Sequence, residues 1–186
     1  MEGRAIMTHC SDGPNRFQIV LDMHLSVYRE ILASLSEQCF TIKRRLCPEH
    51  VALELPVMAL FSGDGMWHRA KIINTEAEQK GDVRVLFVDY GNSEDLSLQY
   101  IIPMNVEDLF HPLAITCYLQ GFNNHRYSSR SLNEEFVNFM RRYKSFIVRF
   151  NSKSFNTYEV TLKTQEIADL NKHFLCEVHS PRKPNC

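Results

Sequence analysis

The stretch Leu86-Phe87-Val88-Asp89-Tyr90-Gly91-Asn92 sets two aromatic rings, a carboxylate and a carboxamide side by side. Gly91 and Asn92 are residue types that tolerate positive φ, so the chain can reverse tightly there. An apolar strand that runs into such a turn delivers its last side chains to a rim. Rings, an acid and an amide at a rim are the makings of a surface that holds something rather than a site that breaks bonds.

Other groupings offer less. Cys47-Pro48-Glu49-His50 supplies two potential zinc ligands and His173, Cys176 and His179 three. Neither has a CxxC partner, and residues three and six apart on a helix fan around it instead of converging, so no metal site is expected. No cofactor motif appears. Asp12 and Asp22 are the only acids near the first strands, too few for a metal-dependent nuclease. There is no GxSxG, P-loop or persuasive Cys–His pair, which argues against an enzyme. The six cysteines, at 10, 39, 47, 117, 176 and 186, follow no regular spacing and read as free thiols in a reducing compartment.

Length and balance fit an ordinary globular chain. There are 186 residues, 44% hydrophobic and 23% charged, with a formal net charge of -1. Bulk charge gives no pull toward nucleic acid or an acidic bilayer. No apolar run is long enough to span a membrane, and Met1–Ala5 lacks the apolar core of a signal peptide.

The elements around the rim can be read from periodicity. Phe17, Ile19 and Leu21 alternate as a strand, with Asp12-Gly13-Pro14-Asn15 turning it back on a partner at Ala5–His9. Leu25, Tyr28, Leu32, Leu35 and Cys39 recur at helical spacing over about 24–39, a stripe expected to be core contact. Lys43-Arg44-Arg45 reads as a solvated helix end. Between Pro48 and Leu98 short strands follow in quick succession: Val57–Phe61, the Gly63-Asp64-Gly65 turn, Trp67–Ile73, Val83–Tyr90 and Ser93–Leu98. That density predicts a small SH3-like barrel, closed by a short helical turn at Ile101–Met104. Beyond it come a strand at Ala114–Phe122, a helix opened by the capping box Ser131-Leu132-Asn133-Glu134, a hairpin around the loop Asn151–Asn156, a short helix through Ile167, Leu170 and Phe174, and a tail from Ser180. Neither flank can cover its own sheet. The two are expected to combine into one domain with the barrel inserted, a mainly β, α+β chain.

Here the residues meet a family. Ala59-Leu60-Phe61-Ser62-Gly63-Asp64-Gly65-Met66-Trp67-His68-Arg69-Ala70 and Phe87-Val88-Asp89-Tyr90-Gly91-Asn92-Ser93-Glu94 resemble the extended Tudor domain, whose pattern is a Phe, then Asp-Gly-x-Trp-Tyr-Arg-Ala, then Val-Asp-Tyr-Gly-Asn. Leu113-Ala114-x-x-Cys117-x-Leu119-x-Gly121 is similar to the segment that follows the barrel in that family. The resemblance implies a Tudor barrel inserted in a split, staphylococcal-nuclease-like OB domain: 1–47 as the first part with a linker helix, 48–110 as the barrel, 111–180 as the remainder and 181–186 as tail. It implies a non-catalytic reader of symmetric dimethylarginine in Arg-Gly or Arg-Ala tails of Piwi-type proteins. The chain would be a monomeric module of a larger multi-Tudor scaffold, serving the piRNA pathway in cytoplasmic germ-cell granules. Matched position by position, the cage walls are Phe61, His68, Phe87 and Tyr90, Asn92 bonds the guanidinium, and Arg69, Asp89 and Glu94 support them. Aromatic faces suit a guanidinium that keeps its charge but has lost N–H donors to methyls, each wall contributing ~0.5–2 kcal/mol.

One position departs from the family: His68 stands where Tyr is usual after Trp67. Imidazole is a smaller wall and, protonated, repels a cation, which predicts a weaker or pH-sensitive cage. Phe87 and Tyr90 are three apart and share a cage only if the turn at Asp89–Gly91 twists the strand end. Taken singly, Phe61 and Phe87 also fit plain barrel core. Trp67 is expected to pack where the barrel meets its flanks, and Arg69 to pair with Asp89. Residues 85–125 carry no Lys or Arg but five acids, Asp89, Glu94, Asp95, Glu107 and Asp108, predicting an acidic rim that draws in an arginine-rich peptide. Residues 126–153 carry seven cations, with Tyr127, Tyr143 and Phe146 among them and Phe155 just beyond, which keeps single-stranded RNA as the alternative partner. A methylation-independent protein contact through a degenerate cage is the other alternative.

Overall fold

A computed structural model describes residues 2–41, 46–76, 81–104, 111–122 and 127–179. Lys43-Arg44-Arg45, Glu107, Asp108, Arg126, the tail and the side chains of Cys39 and His179 lie outside the described residues. The chain forms two compact units, one from residues 1–23 and 115–186, the other from 24–114.

The first unit is a closed barrel. Strands β1 (Glu2–Asp12), β2 (Arg16–Leu21), β8 (Ile115–Leu119), β9 (Phe146–Ser154) and β10 (Thr157–Lys163) run round it in the order β1-β2-β8-β10-β9, with β9 returning to β1. All neighbours are antiparallel except β8 and β10, which are parallel. This is the closure of an OB fold. Helix α2 (Arg130–Arg142) joins β8 to β9, and α3 (Leu170–His179) follows β10. Their inward faces fill the barrel: Phe136 meets Phe17 at 5.2 Å and Phe174 at 5.3 Å between ring centroids. Both flanks of the sequence thus build one core, as expected from their uncovered faces.

The second unit begins with α1 (Leu25–Thr41) and continues with β3 (Pro56–Leu60), β4 (Trp67–Asn74), β5 (Asp82–Phe87), β6 (Ser93–Ser97) and β7 (Ile101–Pro103), paired in the order β6-β5-β4-β3-β7. The edge strands β6 and β7 are joined by the single 3-10 turn Leu98–Tyr100. Laid flat, five strands would hold their edges ~19 Å apart, whereas four residue steps reach at most ~14 Å. The sheet must therefore curl into a barrel, and Val57, Ala59, Ala70, Ile72, Val85, Phe87 and Ile101 close its interior. On the other side Ile31 and Leu35 of α1 pack with Met58 and Ile102, and Trp67 lies against them. The helix is thus counted with the barrel unit, and the contact boundaries fall after Met23 and Ala114.

Three local expectations are corrected. Ile101–Pro103 is a strand paired with β3, not a helical turn, because Ile101 is needed in the barrel and Ile102 against α1. Helix α2 is capped by Ser129, whose hydroxyl accepts the Leu132 N–H at 3.2 Å; the Ser131 box does not form, and Glu134 pairs with Arg130 instead. The strand expected to run to Tyr90 ends at Phe87.

Candidate functional site

Every site residue lies in the 24–114 unit. Its geometry begins with two turns. After β3 the chain reverses through Ser62–Gly65, with the Gly65 N–H bonded to the Phe61 carbonyl at 2.9 Å and the Phe61 N–H to that of Met66 at 3.0 Å. Gly65 takes φ +68°. Gly63 leaves room for the Phe61 ring, since a Cβ there would stand 2.5 Å from Cε1. Asp64 accepts the Met66 N–H at 2.9 Å and, with the same carboxylate, reaches His68. The Ser62 N–H donates to Glu94 at 3.3 Å, tying this turn to β6.

The second turn, Val88–Tyr90, hangs on the Phe87 carbonyl, which accepts from the N–H groups of Tyr90 at 3.2 Å and Gly91 at 2.8 Å; Gly91 takes φ 90°. Ending the strand at Phe87 is what brings Phe87 and Tyr90 to one side. Beneath them Arg69 and Asp89 form a two-pronged pair at 2.6 and 2.9 Å, their side chains 1% and 3% exposed. Arg69 also donates to the His111 carbonyl, and Asp89 accepts the Leu113 N–H. A buried pair of this kind adds little net stability, but it fixes direction, and losing one partner is costly. It sets the turn that aims Tyr90 and Asn92.

The rings gather as the spacing predicted. Phe61 lies 5.1 Å from Phe87 and 6.2 Å from His68; His68 lies 6.0 Å from Phe87 and 5.2 Å from Tyr90, all edge-on. Phe87 and His68 are buried, with Phe61 and Tyr90 half-exposed above them. Asn92 is half-buried beside the turn, and its carboxamide has no hydrogen-bond partner among the described residues. Phe87 is also part of the barrel core.

One residue of the site was not anticipated. Tyr28, on α1, stands edge-on to Tyr90 at 5.6 Å between centroids, its hydroxyl touching the Tyr90 hydroxyl and lying 3.4 Å from His68 Nδ1. His68 Nε2 lies 3.0 and 3.2 Å from the two oxygens of Asp64. Beside a carboxylate Nε2 carries the proton, so Nδ1 accepts from Tyr28 and Tyr28 accepts from Tyr90. The donors run in one direction, from Tyr90 through Tyr28 and His68 to Asp64. Burial raises the pKa of Tyr28 and that of Tyr90 as well. Both stay phenols at physiological pH and keep the chain of donors intact.

The acidic rim contracts. Asp89 is neutralised by Arg69, Asp95 is gripped by Arg84 at 2.6 and 2.7 Å, and Glu94 serves the Ser62 turn. Asp64 joins the site instead, through His68. Among the described residues no group of three or more His, Cys, Asp or Glu is placed to hold a metal ion.

The sequence of residues 1–121 matches the family model described as Tudor domain. The chain belongs to the Tudor family. Human Tudor domain-containing protein 1 is 28% identical over 174 residues, covering 88% of this chain but 15% of that protein. Mouse RING finger protein 17 is 40% identical over 70 residues, covering 37% of this chain and 4% of that protein. The chain therefore spans a small part of the curated relatives it matches. Among solved structures, the human TDRD1 extended Tudor domain in complex with a symmetrically dimethylated E2F peptide superposes with a TM-score of 0.84 at 25% identity, over 95% of this chain and 88% of that one. Extended Tudor domain TD3 from mouse TDRD1 gives 0.80 at 21%, over 95% and 91%. The fold is that of an extended Tudor domain.

Proposed function

We propose that the chain is a non-catalytic reader of symmetrically dimethylated arginine, held by Phe61, His68, Phe87 and Tyr90 as walls with Asn92 bonding the guanidinium. The observation that carries this is the convergence of those four rings at 5.1–6.2 Å with the unengaged Asn92 carboxamide beside them. Support comes from the human TDRD1 extended Tudor domain, alike in fold at a TM-score of 0.84 and in complex with a symmetrically dimethylated peptide. Rings of this kind accept a cation and its methyls together, for ~0.5–2 kcal/mol per wall. The polar groups present are spent on structure: Asp89 on Arg69, Asp64 on His68 and the Met66 N–H.

Within that reading the partner is an Arg-Gly or Arg-Ala tail of a Piwi-type protein. A mouse TDRD1 complex with a MILI peptide containing dimethylarginine and a Tudor complex with Aubergine [R13(me2s)] favour that class. The chain then acts as one module of a longer scaffold in the piRNA pathway, in germ-cell granules of the cytoplasm. Calorimetric titration with an Arg-Gly peptide, unmodified and symmetrically dimethylated, tests the core of it. The methylated peptide should bind about tenfold tighter, and Tyr90→Ala should erase the difference. Equal affinity for both peptides would sink the reading.

A further inference from the structure

The barrel of the first unit carries a second surface, remote in sequence from the aromatic cluster. Strands β9 and β10 are joined by two residues only, since Ser154 pairs with Thr157. Phe155, the first of the two, is 96% exposed and takes φ 51°. A two-residue hairpin with positive φ at its first position is relaxed with Gly there, and a bulky aromatic is strained. A strained ring held in solvent at a loop tip is doing nothing for the core. The loop joining the last two strands of a five-stranded barrel of this order is also one that such folds use to hold oligonucleotides and oligosaccharides.

The rest of the ribbon is cationic. Lys153 lies 5.2 Å over the Tyr158 ring next to the tip. Arg149 is exposed further along β9. At the far end, Arg4, Arg142, Lys144 and Lys163 line a cavity of about 400 Å³. The acids nearby are engaged or few: Glu2 bonds Lys163 at 3.1 Å, Glu166 takes the Tyr143 hydroxyl at 2.7 Å, and Glu159 faces Ser152. Arg4 is 3.9 Å from Asp22. Among the described residues Arg142, Lys144, Arg149 and Lys153 have no carboxylate in ion-pair range, although the whole chain has a formal net charge of -1.

We propose that the β9–β10 ribbon binds a short single-stranded RNA, with a base stacked on Phe155 and backbone phosphates held by Lys153, Arg149 and the cations of the cavity. From the tip to the cavity the ribbon runs ~26 Å, enough for the shortest sites on such barrels, ~4 nucleotides. A lipid surface fits less well. The neighbours of Phe155 are Lys153, Ser154 and Asn156, so a single ring stands among polar groups, suited to stacking and not to insertion. The inference stands apart from the methylarginine reading, because none of these residues belongs to the aromatic cluster.

Fluorescence anisotropy of a labelled oligouridine octamer against the 186-residue chain tests it, between 50 and 300 mM salt. Binding should weaken steeply with salt, and Lys153→Ala should flatten the slope of log K against log salt by ~0.7. Phe155→Gly should cost about tenfold in affinity while leaving the thermal midpoint unchanged or raised, because the turn relaxes. Binding of a dimethylarginine peptide should be unaffected. No binding at 50 mM salt, full affinity in Phe155→Gly, or binding only to anionic phosphatidylserine vesicles would each overturn the proposal.

Discussion

Tyr28 changes how the departure at His68 is understood. An imidazole where the family has a phenol leaves the cluster one hydroxyl short, and Tyr28 brings a hydroxyl to that place from α1, 40 residues away in sequence. Its own ring stands edge-on to Tyr90 at 5.6 Å. If the line of donors from Tyr90 to Asp64 holds the walls in place, Tyr28→Phe keeps the ring and loses the line. Affinity for a symmetrically dimethylated peptide should then fall about fivefold, the effect of one hydrogen bond of ~1 kcal/mol, with the melting temperature little changed. Tyr28→Ala should fall further. Calorimetry of the two variants decides the point, since wild-type affinity in Tyr28→Phe would reduce Tyr28 to packing. The convergence of the four rings beside Asn92 was legible because their motif is local, two turns and the strand ends beside them. Tyr28 was not. At helical spacing with Leu25, Leu32 and Leu35 it looks like any core-facing residue, and only the packing of α1 on β4 tells its hydroxyl from a core contact.

Elements were legible where periodicity was unbroken, and misread where tertiary contacts chose between local options. The Ile101-Ile102 pair shows no alternation of apolar and polar residues because both faces of β7 are covered, so it could not announce itself as a strand. Ser128, Ser129 and Ser131 all offer caps, and the one used is that which turns Leu132, Phe136 and Met140 into the barrel. The turn between β1 and β2 was legible as a turn, yet its tightest demand was hidden. Gly13 takes φ +53°, and a Cβ there would run into the side chain of Asn133 and stand 3.0 Å from its Cα. Asn133 is itself anchored, donating to Asp12 at 3.1 Å. Gly13→Ala should therefore destabilise by ~2–3 kcal/mol, against ~1 kcal/mol for Gly65→Ala, where φ is +68° but nothing lies within 4 Å. In thermal unfolding the first should lower the midpoint by ~5 °C or more and the second by ~2–4 °C. Equal shifts would mean that the turn between β1 and β2 can draw back from α2.

At the scale of the molecule the arrangement of the chain makes a strong demand. The 1–23 and 115–186 segments share one core that includes Ala5, Phe17, Leu119, Phe136, Val148 and Phe174. Everything between is spliced into a single connection, the one from β2 to β8. Those two strands are antiparallel neighbours, with Ile19 opposite Ile115, so the chain leaves and re-enters this barrel about one strand spacing apart, ~5 Å. A connection that short needs only a tight turn. Replacing residues 24–114 by Asn-Gly should therefore leave a barrel that folds by itself, because among the described residues its core draws on none of the deleted part and its length is well above the ~40 residues below which staples are needed. The 24–114 segment has cores of its own and should fold separately, with the aromatic cluster and the Arg69–Asp89 pair intact. Circular dichroism and thermal unfolding of the two pieces give the answer. Cooperative melting of each is the expected result. A shortened barrel that fails to melt cooperatively, while the 24–114 piece does, would mean that the inserted unit supplies stability to its host, and that the two halves of the barrel are held by more than their own shared core.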